Sequence, residues 1–165
     1  EWLRWSSDSL KRFSSNGKSL MDRMEGVESI GDVDSNERYA VLSHGVQDDP
    51  VYHYFNEGAL QTFLWGPDEV YSIPSRYSAP SGPIRTERQT IMLPTAIQQQ
   101  HGEVRNLPIA IRQNKNNQQF QLTNVLIWNV YNNQGKRVGQ TALFDRTLIV
   151  PINNDDGNTK PNPET

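Results

Sequence analysis

Three histidines, His44, His53 and His101, are the side chains that most invite chemistry. They lie far apart, and none has the close spacing of a metal-ligand pair. His53 sits in a strand-like run between Tyr52 and Tyr54, where a single imidazole could ligate haem. A hydrogen-bonded or exposed side chain is the ordinary outcome for such a residue. The chain has no cysteine. Disulfides, thiol catalysis, thiolate metal sites, a flavin–cysteine adduct and thioether attachment of a linear tetrapyrrole are thereby excluded. Asp48-Asp49 and Asp155-Asp156 occupy turn or tail segments and read as solvated turns rather than acid–base pairs. The stretch "GVESIG" lacks a dinucleotide pattern and a following lysine motif. No Ser–His–Asp set follows from the spacing. The sequence therefore assigns no catalytic, cofactor-binding or metal residue, and a non-enzymatic chain without a cofactor is expected.

Arginines come nearer to a pattern. Arg76, Arg85, Arg88, Arg105 and Arg112 could share a surface. Acidic residues are interspersed and no aromatic stacking series accompanies them, so contact with another protein fits better than nucleic acid. The overall balance agrees. Sixteen basic and 19 acidic residues leave a formal charge of −3. That gives no general pull toward nucleic acid or anionic lipid.

The elements that would position these groups are legible from periodicity. A chain of 165 residues is enough for one domain, burying roughly 65–70% of the surface of its extended form. Leu10 and Phe13, then Leu20 and Met24, mark two short amphipathic segments around "SSNGKS". Trp2, Leu3 and Trp5 add an apolar cluster at the start. This arm packs over the domain's own core or docks on another protein. "ERYAVLSHG" and "PVYHYF" read as strands. "NEGALQTFLWG" switches to helical spacing, with Leu60, Phe63 and Leu64 as anchors, Asn56 as cap and Pro67 as stop. "TERQTIMLPTAIQQQHG" is a further helical candidate, divided or kinked at Pro94. Three strands in a meander close the chain, with hairpin turns at "NKNNQ" and "NNQG". In the middle one, Phe120, Leu122, Leu126, Trp128 and Val130 share one parity, interrupted by Asn124, where a bulge or a polar core position is expected. No stretch reaches the length of a membrane span. The chain opens on Glu1 rather than Met, and a missing upstream targeting segment is expected.

The order resembles the PAS sensor fold, and three stretches narrow the resemblance. "VLSHGVQDDPVYHYFNEGALQTFLWGPDEVYSIPSRYSA", "ERQTI" and "VLIWNVYNNQGKRVGQTALF", covering about residues 38–146, resemble the MEKHLA domain family. This PAS-like module occurs in cyanobacteria, algae and plants, in plants at the end of homeodomain-zipper transcription factors. The resemblance implies sensing or protein interaction without an assigned catalytic activity. It makes "IPSRYSA" a connector between helices, with Arg76 tying it to an acidic or carbonyl group and Tyr77 closing the core. The sequence departs from the family at Glu57-Gly58, at "NKNNQQ" and at "RNLPIAIR", which puts an inherited ligand role in doubt. No homeodomain or leucine zipper is present in these residues.

The expected architecture is α+β. A PAS-like five-stranded antiparallel sheet over residues 38–150 carries short helices packed on one side, preceded by a helical N-terminal arm over 1–37. An extended polar tail follows over 151–165. Phe55, Phe63, Trp65, Phe120, Trp128 and Phe144 are expected to fill the PAS-like pocket. The expected function is an accessory or assembly subunit docked on protein subunits of a larger plastid complex. A photosystem, with peripheral thylakoid association, is the specific expectation. The expected partner-binding residues are Trp2, Leu3, Trp5, Arg76, Arg85 and Arg88. On this view the core folds without residues 1–13 and 151–165 but associates more weakly. The alternative is a soluble cytoplasmic small-molecule or redox/light-related sensor with a ligand in the PAS-like pocket.

Overall fold

A computed structural model describes residues 1–86 and 103–153. Helix α1 spans Trp2–Phe13 and the short α2 spans Ile30–Asp34. Strands β1 (Tyr39–His44) and β2 (Tyr52–Phe55) precede α3 (Glu57–Phe63). After two 3-10 turns come β3 (Val104–Gln113), β4 (Gln119–Tyr131), β5 (Arg137–Asp145) and the two-residue β6 (Val150–Pro151). All strand pairs are antiparallel, in the order β2-β1-β5-β4-β3, with β6 pairing β4 beyond the end of β5. The helical candidate at "TERQTIMLPTAIQQQHG" lies almost wholly outside the described residues, as do His101 and Arg88.

Local chemistry explains the element ends. Both meander turns are closed by an asparagine that folds back on its own backbone. Asn114 Oδ1 accepts from the Asn116 and Gln118 amides, and Asn132 Oδ1 from those of Gln134 and Lys136. Asn56 caps α3 through the Ala59 amide, 3.0 Å away. The helix stops at Leu64, which takes a left-handed conformation with φ +63°. The stop is therefore a C-terminal αL turn three residues before Pro67, and Leu64 is exposed rather than an anchor. Leu20 and Met24 are buried but flank a 3-10 turn, Met21–Arg23, instead of lying on an α-helix. Left-handed glycines, Gly17 and Gly26, bracket that turn.

The sheet has two packed faces. On the inner face Leu42, Phe55, Phe63, Trp65, Phe120 and Phe144 form one core with α3. On the outer face α1 and the segment through α2 bury Leu3, Leu10, Leu20 and Val33 against Val41, Trp128, Val130 and Leu143. The short helix α3 lies on one side, as expected, and the N-terminal arm covers the other. The β4 parity is corrected. Phe120 and Leu122 face inward, but Trp128 and Val130 face α1. The exchange occurs at Asn124, which is exposed with φ +54°. Beyond it Val125 and Ile127 take over the inner face. Register to β3 is kept through the exchange, from Ile109↔Thr123 to Leu107↔Val125, so both strands turn over together at Pro108 and Asn124.

Candidate functional site

The inner face is not uniformly apolar. His44, Arg112, Asn129 and Gln140 are all buried there. Strand pairing puts them at neighbouring positions, His44 opposite Gln140 and Gln140 opposite Asn129. His44, Arg112 and Gln140 line a cavity together with Tyr52, Ser78 and the apolar floor of Leu42, Phe63, Leu122, Val125 and Phe144. The cavity holds about 30 Å³, room for about two water-sized molecules. Gln140 Nε2 is 3.5 Å from Asn129 Oδ1. Asn129 Nδ2 and the Tyr131 hydroxyl both donate to Glu103 Oε2. His44 Nδ1 lies 2.9 Å from the Gly45 carbonyl. A carbonyl only accepts, so Nδ1 carries the proton there.

The connector "IPSRYSA" forms the cavity's outer wall. Ser75 N donates to the Pro50 carbonyl and Tyr52 N to the Ile73 carbonyl, so the segment covers the edge of β2. The Tyr52 hydroxyl donates to Ser78 Oγ at 2.9 Å. Closure is thus done by Tyr52. Tyr77 points outward, 42% exposed, with the Arg76 and Arg85 guanidinium groups over its ring. Arg76 pairs with Asp49 at 3.0 Å, the acidic tie expected of it. That carboxylate holds the Arg76 pKa above its ordinary value. The arginines do not form one patch. Arg76 and Arg85 share Tyr77, Arg112 is buried at the cavity, and Arg105 Nη1 is buried as well.

The aromatic arm is spent within the domain. Leu3 is buried, and the Trp2 indole N–H donates to Ser43 Oγ at 2.9 Å while its ring meets His53 edge-on. Trp5 Nε1 donates to Asn133 Oδ1. Ser6 Oγ donates to Thr141 Oγ1, and the Ser6 carbonyl accepts from the Trp128 indole. Gly139 makes this seat possible. A Cβ there would meet the His44 carbonyl oxygen at 2.3 Å and Trp2 Cη2 at 2.7 Å. Leu3, expected to dock on a partner, has its side chain inside the outer core.

Sequence reasoning missed the other part of the outer face. Helix α1 covers β4 only toward its C-terminal end. Residues paired across an antiparallel sheet share a face, and Ile109↔Thr123 and Ile111↔Gln121↔Val150 are two such rows on the outer side. Ile109 is 59% exposed and Val150 51%. None of these five positions is charged. The alternation of Ile109 and Ile111 was readable; which side the helix would cover was not.

The MEKHLA domain family matches residues 1–148. This chain is a MEKHLA domain. The match begins at the first residue, so it includes the segment that seals the outer face. No curated protein sequence matches the MEKHLA chain. Solved structures give the fold. A PAS domain of a protein from Colwellia psychrerythraea is 13% identical with a TM-score of 0.55, covering 74% of this chain and 92% of that one. The Rhodobacter sphaeroides LOV protein is 9% identical with a TM-score of 0.53, over 75% and 65%. The light-state dimer of the fungal blue-light photoreceptor Vivid is 18% identical with a TM-score of 0.51, over 75% and 86%. The MEKHLA domain thus has a PAS-like, α+β fold. Among the described residues no helix is long and apolar enough to cross a membrane, and no group of His, Asp and Glu could hold a metal ion.

Proposed function

We propose that this MEKHLA domain is a non-catalytic protein-interaction module that works through the uncharged part of its outer sheet face. The observation that carries the reading is the exposed pair Ile109 and Val150 flanking Gln121 and Thr123, in two rows whose five described positions carry no ionisable side chain. A solvated sheet face is normally polar-out, and loss of charge is what marks the centre of an interface. The small cavity supports the same choice, because its aromatic floor leaves little room for a ligand. The expected place of such a module on a plastid complex rests on the family's distribution; no residue here recognises a photosystem. A photo-crosslinking side chain at position 109 or 150 should trap partner protein in cells, and one at the exposed Tyr71 should not. Equal trapping at all three positions, or none at 109 and 150, removes the reading.

A second reading has its own observation. His44, Arg112 and Gln140 bring imidazole, guanidinium and amide to one cavity, which suits a small polar ligand more than a plain core. Gentle purification followed by mass spectrometry decides it. A stoichiometric small molecule, lost in Gln140→Leu, would move sensing ahead of interaction.

A further inference from the structure

The two edges of the sheet differ. Beyond β2 the connector closes the ladder, with the Tyr52 amide on the Ile73 carbonyl and the Ser75 amide on the Pro50 carbonyl. Beyond β3 the order of strands ends. Which groups of β3 point outward follows from its bonds to β4. At the hairpin tip the Asn114 amide donates to the Gln118 carbonyl. Bonded pairs alternate along an antiparallel ladder, so Arg112↔Phe120 and Ala110↔Leu122 are the bonded pairs behind it. The Gln119 carbonyl agrees, since it turns away from β3 to accept from the Ile152 amide. At the far end the Asn129 amide donates to the Glu103 carbonyl, which sets the opposite phase. The change of phase falls where both strands turn over, at Pro108 and Asn124. From there to the tip, the amides and carbonyls of Ile109, Ile111 and Gln113 face away from β4. Arg112 Nη1 reaches the Ile111 carbonyl at 2.6 Å and leaves that oxygen its second lone pair. The three amides have no acceptor among the described residues.

Resting on the interaction reading above, we infer that the edge of β3 from Ile109 to Gln113 takes an extended, uncharged segment of the partner protein as an added strand. Donors and acceptors at every second residue match another extended backbone, and main-chain bonds then supply the affinity. Proteins ordinarily blunt such an edge with charge, proline or a covering segment. In β3 the proline stands at position 108, outside this half. It has no N–H, and the ladder phase reverses there, so the added strand ends at that point. Ile109 to Gln113 spans about 14 Å, the length of a five-residue segment. An added strand extends the rows Thr123–Ile109 and Gln121–Ile111 by one position each. Its side chains on that side lie beside Ile109, which is exposed. Threonine, valine and isoleucine suit that place as cross-strand neighbours. A charged residue would be desolvated there against uncharged rows.

The probe is a dye-labelled peptide of alternating valine and threonine with a lysine at each end. Fluorescence anisotropy should show saturable binding to the chain. Amide exchange followed by NMR should alternate. Ile109, Ile111 and Gln113 should exchange fast in the free chain and about tenfold or more slowly with peptide bound. Ala110 and Arg112, already bonded to β4, should be slow in both. Ile111→Pro removes one outward N–H and keeps the ladder to β4, a place where an edge strand tolerates proline. It should weaken the peptide about tenfold. Ile111→Ala loses the same side chain but keeps the N–H, and should bind within about threefold of the parent. Circular dichroism checks that both variants fold; where Ile111→Pro does not, the exchange pattern of the parent decides. Variants that weaken alike, three amides that stay fast, or slowing without alternation overturns the added strand. A chain already dimeric before peptide, with those amides already slow, gives the edge to a second copy and overturns it as well. Failure here is distinct from failure of the reading beneath. Fast amides with crosslinking through position 150 in cells remove the strand and keep the face. Slow amides without that crosslinking remove the face and keep the edge.

Discussion

Asn56 shows how much one side chain can hold. It is fully enclosed. Its Oδ1 accepts from the amides of Val41 and Ala59, and its Nδ2 donates to the carbonyls of Val33, Asn36 and Tyr39. One amide thus joins the N-terminal segment, β1 and α3. Asn56→Ala removes the acceptor of the buried Val41 and Ala59 amides, each orphaned donor costing about 1–3 kcal/mol. We expect a loss of about 3 kcal/mol or more, read from the urea midpoint; a change within experimental error would show that water replaces the amide. Leu64 is the opposite case. Its φ of +63° is a conformation that costs an L-residue about 1–2 kcal/mol, and its exposed side chain returns little. Leu64→Gly should therefore raise stability by about 1 kcal/mol, and a lowered midpoint would mean that the side chain contributes more than its exposure suggests. Only half of the Asn56 role was readable in the sequence. Its place before a helical pattern gives the cap, but the three carbonyl contacts depend on loops brought together by the fold.

At the level of elements, α1 is part of the domain. Leu3 and Leu10 pack on Val41, Trp128 and Val130, and burying each leucine is worth about 1.5–3 kcal/mol. Deletion of residues 1–13 uncovers that core. The truncated chain should unfold at markedly lower denaturant and bind a hydrophobic dye; an unchanged midpoint would show that α1 is a removable cover. This reverses the expectation that the domain folds without its arm. Strands, both hairpin turns, the α3 cap and the PAS-like order were legible because each is written locally, in alternation or in turn chemistry. The two-faced sheet was not, for an identifiable reason. Trp128 shares parity with Phe120, and a period of two assigns both to one face unless a residue between them breaks the strand's twist. Asn124 does so at φ +54°. The asparagine was visible, but an asparagine in a strand is equally at home as a polar core position. The cavity polar set was hidden for another reason, since His44, Arg112 and Gln140 sit on three different strands and only the register unites them.

For the molecule as a whole, His53 links stability to pH. Burial holds its pKa below the ordinary 6.5, and its Nε2 is enclosed without a hydrogen-bond partner. Below 6.5 the unfolded chain takes up a proton that the folded chain resists, so stability falls as pH drops from there toward the folded value. Above 6.5 this contribution is complete. Asp32 and Asp22, held low by Ser29 and Ser19 hydrogen bonds, act in a separate and more acidic window, losing their contribution as pH falls below the ordinary carboxylate range. Melting temperature should therefore decline between about pH 7 and 5, and His53→Gln should flatten that decline. A slope that survives the substitution assigns it to another group.

Strand order also governs when the domain can close. The interior strand β1 pairs with the central β5, Ala40 opposite Phe144. On a ribosome adding about 5–20 residues per second, β1 waits roughly 5–20 s for its neighbour. During that time Val41 and Leu42, which end up in opposite cores, have only the N-terminal segment on one side and β2 with the emerging α3 on the other for cover. Nascent chains halted before β5 should be held by chaperones and cut by protease, and those that have cleared the exit tunnel past Asp145 should resist both.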